Sequence, residues 1–237
     1  MQAASNVDPA ELEKFESLAH RFWDPEGPFR TLHDIEPLRA AWVAERVPLA
    51  GRRVADVGCG GGLFAEGLAR HGAQVTAIDL SSTMIKVARL HAAAEALSID
   101  YRVSDVETLA VTQAASFDVV CCMEMVEHVP QPAALLAQLA CLLRPGGMLF
   151  MSTINRGPRA FLGAIVAAEY LLGLVPKGTH EYAKFIRPAE LAHHGRVAGL
   201  TLLDLGGLAY NPFTHTARLG VAPEINYLVQ FQAAGAA

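Results

Sequence analysis

Between Arg52 and Asn155 five short apolar runs, "RRVADVGC", "AQVTAIDL", "IDYRVSD", "FDVVCCME" and "MLFMSTIN", are set apart by segments of helical spacing. The runs do not alternate polar with apolar residues, so each reads as a strand buried on both faces. Such strands joined by helices form a parallel sheet with helices on both sides. "GLFAEGLARHG" reads as a helix stopped at Gly72, a second helix spans about Ser81 to Leu97, and "QPAALLAQLACLLRPGG" is a helix with a Pro-Gly-Gly stop. After an insertion at about 156–186, "PAELAHHGRVAGL" reads as a helix. "TLLDLGGLAY" and "EINYLVQFQA" then read as late strands, for a mostly parallel, Rossmann-like sheet of seven strands. Ahead of the sheet, "PAELEKFESLAHRFW" carries apolar residues at 12, 15, 18, 19 and 22, with Asp8 placed to cap it. "DPEGPFRTLHDIEP" reads as a loop and "LRAAWVAERV" as a helix, making an N-terminal helical cap over about 8–48. With no internal repeat or low-complexity linker, a single α/β domain over 1–237 is expected.

Hydrophobic residues make up 52% of the chain and charged residues 18%, which suits a large core and argues against global disorder. A net charge of -5 supplies no basic field for nucleic acid. The four cysteines, Cys59, Cys121, Cys122 and Cys141, form no CxxC pair, so neither a zinc knuckle nor a disulfide framework is expected. That usage suits a reducing compartment. The opening "MQAASNVDPAELEKFE" lacks the apolar stretch of a secretory signal, and a cytoplasmic protein is expected.

The segment "DVGCGGGLFAEGLA" places four glycines in five positions behind the first strand, where ligands of open α/β sheets bind. Asp79 ends the second strand 21 residues after Gly58, positioned to accept from two ribose hydroxyls. Gly60-x-Gly62-x-x-Ala65 also satisfies a loose phosphate-binding fingerprint, so a dinucleotide and a phosphate-free nucleoside both fit at this point. Two further acids favour the second. Asp56, inside the turn, would repel a pyrophosphate and attract an amine, and Asp105 at the end of the third strand can accept from an adenine amino group. S-adenosylmethionine joins a sulfonium, an amine, a carboxylate, a ribose and an adenine, and matches that set.

Where the fourth strand leaves the sheet, "MEMVEHVPQP" spaces Glu124, Glu127 and His128 as i, i+3, i+4, one face of a helical turn. Three roles are open to them: a site for Mg²⁺ or another divalent cation, a metal-free acid/base site with His128 as general base, or helix capping. His180 in "PKGTH" is a weaker candidate fourth ligand, while His193 and His194 read as surface helix residues. Cys121 and Cys122 read as core rather than as nucleophiles. The stretch "AFLGAIVAAEYLLGLV", flanked by Arg156, Arg159 and Lys177, falls short of a bilayer span. It suits either a helix lying in an anionic membrane interface or one packed on the core or on a second subunit.

Together, "VADVGCGGGLFAEGLARHGAQVTAID" and "FDVVCCMEMVEHVPQP…LLRPGGMLFMSTINR" resemble the class I S-adenosylmethionine-dependent methyltransferases. "KFESLAHRFWDPEGPFRTLHDIEPLR", "AAEYLLGLVPKGTHEYAKFIRPAEL" and "LAYNPFTHTARLG" narrow the resemblance to the bacterial ubiquinone-biosynthesis O-methyltransferases, from about Val7 to Gln230. The resemblance implies cofactor contacts from Arg39, Gly58, Asp79 and Met123, to which the reading of the residues adds Asp56, Gly60 and Asp105. A guanidinium at Arg39 would pair with the methionyl carboxylate; an ordinary surface ion pair is the alternative. It further implies O-methylation of polyprenyl catechol and 3-demethylubiquinol, peripheral attachment to the inner membrane through 156–177, and association with other ubiquinone-biosynthesis proteins. A methyltransferase for another small phenol, a nucleotide-dependent oxidoreductase, a non-catalytic dinucleotide module and a lipid-surface protein are the competing readings.

Overall fold

The computed structural model describes residue 6, residues 8–157 and residues 182–235. Its sheet contains β1 (Arg53–Val57), β2 (Gln74–Asp79), β3 (Asp100–Val103), β4 (Phe117–Met123), β5 (Leu143–Ile154), β6 (Leu200–Asn211), β7 (Thr216–Val221) and β8 (Asn226–Ala233). Their order is β3-β2-β1-β4-β5-β8-β6-β7. Strands β1 to β5 pair in parallel, and β8 inserts antiparallel between β5 and β6. Strand order reverses between β1 and β4, which opens a crevice at their carboxyl ends.

Successive residues of the central strands feed two separate apolar layers. Val54, Val119 and Cys121 pack with Trp42, Phe64, Leu68 and Ile85, while Ala55, Val57, Val120 and Cys122 pack with Leu135, Leu136, Leu139 and Leu191. The first layer is covered by α2 (Arg30–Arg46), α3 (Leu63–Arg70) and α4 (Ser82–Ala94). The second is covered by α5 (Val106–Thr112), α6 (Pro132–Leu142) and α7 (Pro188–Val197). Burial on both sides is why these strands read as unbroken apolar runs.

Four features depart from the sequence reading. The sheet has eight strands rather than seven, because "TARLGV" forms β7 at the edge, antiparallel to β6. There Ala217 and Leu219 pack towards the core beside α2 while Thr216, Arg218 and Gly220 face outwards, so no continuous apolar run marks the strand. Helix α5 has no counterpart in the sequence pattern, because seven residues are too few to display a period. Leu143–Gly147 is part of β5, not only a helix stop: the register against β4 jumps from Phe117↔Leu143 to Val119↔Met148, with Gly146 at φ 75. Finally, α2 begins at Arg30, inside the expected loop, and carries Pro37 within it. Ahead of it, α1 (Pro9–Leu18) leads into a 3₁₀ turn, Ala19–Arg21. Most of the 156–186 insertion lies outside the described residues, including His180, Arg159 and Lys177.

Helix α7 meets the sheet at Gly195, where a Cβ would sit 2.5 Å from the Phe231 ring. Alanine gains up to about 1 kcal/mol in helix propensity, but Phe231 is fully buried and cannot yield. Overpacking of such a contact costs about 1–3 kcal/mol. Gly195→Ala is expected to lower the urea unfolding free energy by about 1 kcal/mol; a rise would show that the helix–sheet spacing adapts freely.

Candidate active site

The crevice between β1 and β4 encloses about 1450 Å³ of atom-free space, part of it open to solvent. Its floor is the glycine turn. Gly58, Gly60 and Gly62 have φ of 77, 51 and 91, a left-handed region costly for other residues. The turn is tied to β2: the Gly58 and Cys59 amides donate to the Ile78 carbonyl at 2.9 and 3.0 Å. Asp79 completes the tie, its Oδ2 accepting from Gly60 N at 2.9 Å and its Oδ1 from Ser81 N at 2.8 Å. Burial pushes the Asp79 carboxyl up, with those amides acting against it. Gly61 serves packing. A side chain on Gly61 would run into the Phe22 ring, and Trp23 Nε1 donates to the Gly61 carbonyl at 3.0 Å.

Asp56 is buried in β1 and lines the crevice. Its Oδ2 has no hydrogen-bond partner, and burial, reinforced by the charge of Asp79, pushes its carboxyl up to about 7. Such a group accepts a cation or an amine and repels a phosphate. Asp105 also lines the crevice and caps α5, its Oδ1 accepting from Thr108 N at 2.6 Å. Met123 closes β4 at the wall. Arg39 projects from α2 and is buried, which disposes of an ordinary surface ion pair; its guanidinium donates to Glu124 Oε1.

Glu124 is left-handed at φ 49, a rare state for a residue with a side chain. Its Oε1 also accepts from Ser152 Oγ at 2.8 Å. Residues Val126–His128 form a single 3₁₀ turn, not the α-helical turn that the i, i+3, i+4 spacing suggested. Glu124 and His128 line the crevice. Glu127 is turned inwards and accepts from Thr153 Oγ1 at 2.9 Å. Burial first, and then the Glu124 charge, push its carboxyl up to about 7, with His128 pulling the other way. As these side chains lie, the expected three-ligand set of Glu124, Glu127 and His128 is not formed. Among the described residues no group of three His, Cys, Asp or Glu could hold a metal ion. Cys59, Cys121 and Cys122 are buried and their thiols are pushed well up by burial, so none offers a thiolate.

Phe22, Phe29 and Leu32, none of them expected at the site from the sequence, form an apolar wall over the glycine turn. Glu36, one turn before Arg39 on α2, lines the crevice as well. It was hidden because residues 30–37 read as a loop around Pro37.

A methyltransferase-domain family profile matches residues 55–151. The chain is 53% identical over 226 residues to the ubiquinone biosynthesis O-methyltransferase of Azotobacter vinelandii, covering 95% of this chain and 97% of that one. It is 55% identical to the protein of the same name from Xanthomonas euvesicatoria, covering 95% and 94%. Among solved structures, the magnesium protoporphyrin IX methyltransferase of Synechocystis PCC 6803 with bound SAM aligns with a TM-score of 0.67 at 17% identity. That alignment covers 98% of this chain and 100% of that one, a likeness of fold.

The turn's geometry has a direct test. A Cβ at Gly62 would stand 2.9 Å from Ala88 Cβ and from Tyr101 Cζ, whereas one at Gly51, also at positive φ, would meet nothing within 4 Å. Gly51→Ala should cost about 1 kcal/mol from the backbone alone, and Gly62→Ala about 2–4 kcal/mol with the added clash. Equal unfolding midpoints for the two variants would contradict this geometry.

Proposed function

The chain belongs to the ubiquinone biosynthesis O-methyltransferases, and from that membership we propose a reaction and a division of labour for its crevice. One domain over 1–237 transfers a methyl group from S-adenosylmethionine to a phenolic oxygen of polyprenyl catechol and 3-demethylubiquinol. The observation that carries the cofactor reading is the buried Asp56 beneath the glycine turn, with an oxygen unpartnered. A pyrophosphate there would face Asp56 and Asp79 together, which disfavours a dinucleotide.

S-adenosylmethionine, when bound, supplies a methyl group on a positively charged sulfur. Asp79 accepts from its ribose hydroxyls, Asp105 from the adenine amino group, and Met123 packs at the wall. Gly58 and Gly60 let the ligand approach the backbone, Asp56 meets the methionyl amine, and Arg39 meets the carboxylate through guanidinium nitrogens not engaged by Glu124. The apolar wall of Phe22, Phe29 and Leu32 keeps water from the reacting atoms. His128 takes the phenolic proton as the oxygen attacks, and Glu127 behind it steadies the imidazolium. Alignment and deprotonation are the protein's contribution, and no covalent enzyme intermediate is needed.

A second reading adds Mg²⁺ or another divalent cation at Glu124, Glu127 and His128. The donor chemistry favours it, two carboxylates and an imidazole whose charges act on one another, but Glu124 must first leave Arg39 and Ser152. Such a cation would supply a Lewis acid for adjacent phenolic oxygens.

Association with an anionic membrane surface through 156–177, a cytoplasmic location at the inner membrane and contact with other ubiquinone-biosynthesis proteins belong to the same proposal. They are supported by the flanking cations and apolar composition of that stretch and by the insolubility of a polyprenylated substrate. Among the described residues no helix is long and apolar enough to cross a membrane.

Isothermal titration should show S-adenosylhomocysteine binding and no NAD binding; the reverse ends the methyl-transfer reading. His128→Ala should lower kcat by about 10²–10⁴-fold. Turnover should fall as pH drops through about 7, where the buried Glu127 takes up a proton. Full activity in both His128→Ala and Glu127→Ala would reject these assignments. Loss of turnover on chelation, restored by Mg²⁺, selects the second reading. Sedimentation with anionic liposomes should be reduced by Leu171→Glu and Leu172→Glu; unchanged sedimentation would remove the membrane assignment.

A further inference from the structure

Strands β2 and β4 flank β1 in parallel, so a segment that joins the loops beyond their carboxyl ends passes over the mouth of the crevice. The N-terminal segment joins them. Asn6 exchanges two hydrogen bonds with the main chain of Gln131, just beyond His128. Its Nδ2 donates to the carbonyl at 3.1 Å and its Oδ1 accepts from the amide at 2.8 Å. Near the other end of α1, Glu16 Oε1 accepts from Ser81 Oγ at 2.8 Å, just beyond Asp79. The 10 residues of α1 extend about 15 Å. Two strand spacings come to about 10 Å, so the helix is long enough to cross from one side to the other. Asn6 and Asp8, ahead of the helix, line the crevice.

The way this segment is attached changes along its length. Asn6 and Glu16 are held by the hydrogen bonds above. Asp8 is held by an ion pair partly open to solvent, Lys184 Nζ donating to its Oδ2 at 2.9 Å. From Ala19 onwards the hold is apolar: Ala19, Phe22 and Phe29 are buried with Met84 in a cluster of their own, apart from the two layers on the sheet. Trp23 fixes this part further. Its Nε1 is bonded to the Gly61 carbonyl, and its ring is stacked on His91 with centroids 3.4 Å apart. His91 is steadied in turn by Glu66 Oε1 at 2.8 Å from Nδ1. Between the polar ties and the apolar root, α1 gives way to the 3₁₀ turn Ala19–Arg21, the kind of junction at which helices hinge.

We propose that Asn6, Asp8 and α1 form a strap hinged at Ala19–Arg21, fastened across the crevice by Gln131, Lys184 and Ser81, and that it opens to let the nucleoside enter and leave. The inference deepens the S-adenosylmethionine reading and rests on it. A closed strap keeps water from the reacting atoms, and an opening one sets the rate at which S-adenosylhomocysteine is exchanged. Hydrogen bonds and ion pairs that face solvent each shift an opening equilibrium by only a factor of a few. The fastened end can therefore release while the Phe22–Trp23 root stays packed. Because the ties run from protein to protein, loosening them should speed uptake and release together.

Two alterations move the strap in opposite directions. Asn6→Ala with Asp8→Asn removes the ties to Gln131 and Lys184. Asn6→Cys with Gln131→Cys fastens the same place by a disulfide that a reductant undoes; the exposed Cys141 is replaced in that chain by Cys141→Ser. Surface plasmon resonance with S-adenosylhomocysteine on the full chain reads both rate constants. In the loosened chain uptake and release should each be about tenfold faster, with Kd within about threefold. In the oxidised cross-linked chain both should be at least about tenfold slower, and reduction should restore them. Hydrogen exchange should quicken in α1 of the loosened chain and stay unchanged in β1 to β5. Faster release with unchanged uptake would make Asn6 and Asp8 ligand contacts. Unaltered rates in the loosened chain, or ready exchange in the cross-linked one, would leave no gate. Faster hydrogen exchange throughout the sheet would mean a general loosening. Each of these overturns the inference while the cofactor reading stands. Failure of the unaltered protein to bind S-adenosylhomocysteine would overturn the cofactor reading, and this gate with it.

Discussion

The crevice depends on one carboxylate. Asp79 accepts from Gly60 N with one oxygen and from Ser81 N with the other, so a single side chain joins the glycine turn to the start of α4. Three left-handed glycines are costly to order, since glycine loses more backbone freedom on ordering than any other residue, and Asp79 adds to the two amide bonds on the Ile78 carbonyl that hold the turn. With the anchor, the turn holds its backbone at the floor of the crevice and Asp79 stays at its wall. The Ser81 hydroxyl extends the arrangement by accepting from Met84 N at 3.1 Å, and so caps α4.

Helix α2 gives the crevice its other wall, and it is held at several points along its length. Tyr210 Oη donates to Asp34 Oδ2 at 2.6 Å near one end, and Arg46 Nη2 donates to Asp204 Oδ2 at 2.7 Å near the other. Between them Arg39 reaches Glu124 at the end of β4. The late β6–β7 hairpin thus bears on the crevice through a helix instead of lining it. Pro37 inside α2 has no N–H to donate to the His33 carbonyl, a local loss that these tertiary contacts outweigh.

The acid–histidine turn follows a different logic. Glu124 faces Arg39 and Ser152, Glu127 is buried against Thr153, and His128 stands at the crevice. Two carboxyls close enough for the charge of one to raise the other, beside an imidazole, form a reservoir whose protonation responds to whatever enters. A phenol giving up a proton and a cation taking up oxygens would both draw on that reservoir. The left-handed backbone at Glu124 gives the turn its direction and is strain of the kind that gathers at working sites.

The parallel core was legible because both faces of its strands are buried, so composition alone marked β1 to β5. The glycine turn, Asp56, Asp79, Asp105 and Met123 were legible because each sits at a strand end, where position along the chain equals position in the crevice. Strand β7 and helix α5 were not, one being an exposed edge and the other too short to show a period. The sequence by itself determined the layered α/β architecture and the acid-rich pocket, since those follow from local pattern and strand-end chemistry. Only the tertiary structure decided that Arg39 is buried, that Glu127 is buried against Thr153, and that Glu36 lines the crevice from α2. Such facts depend on which helix lies against which strand, and burial, which sets the state of an ionisable group, is a property of the packed chain.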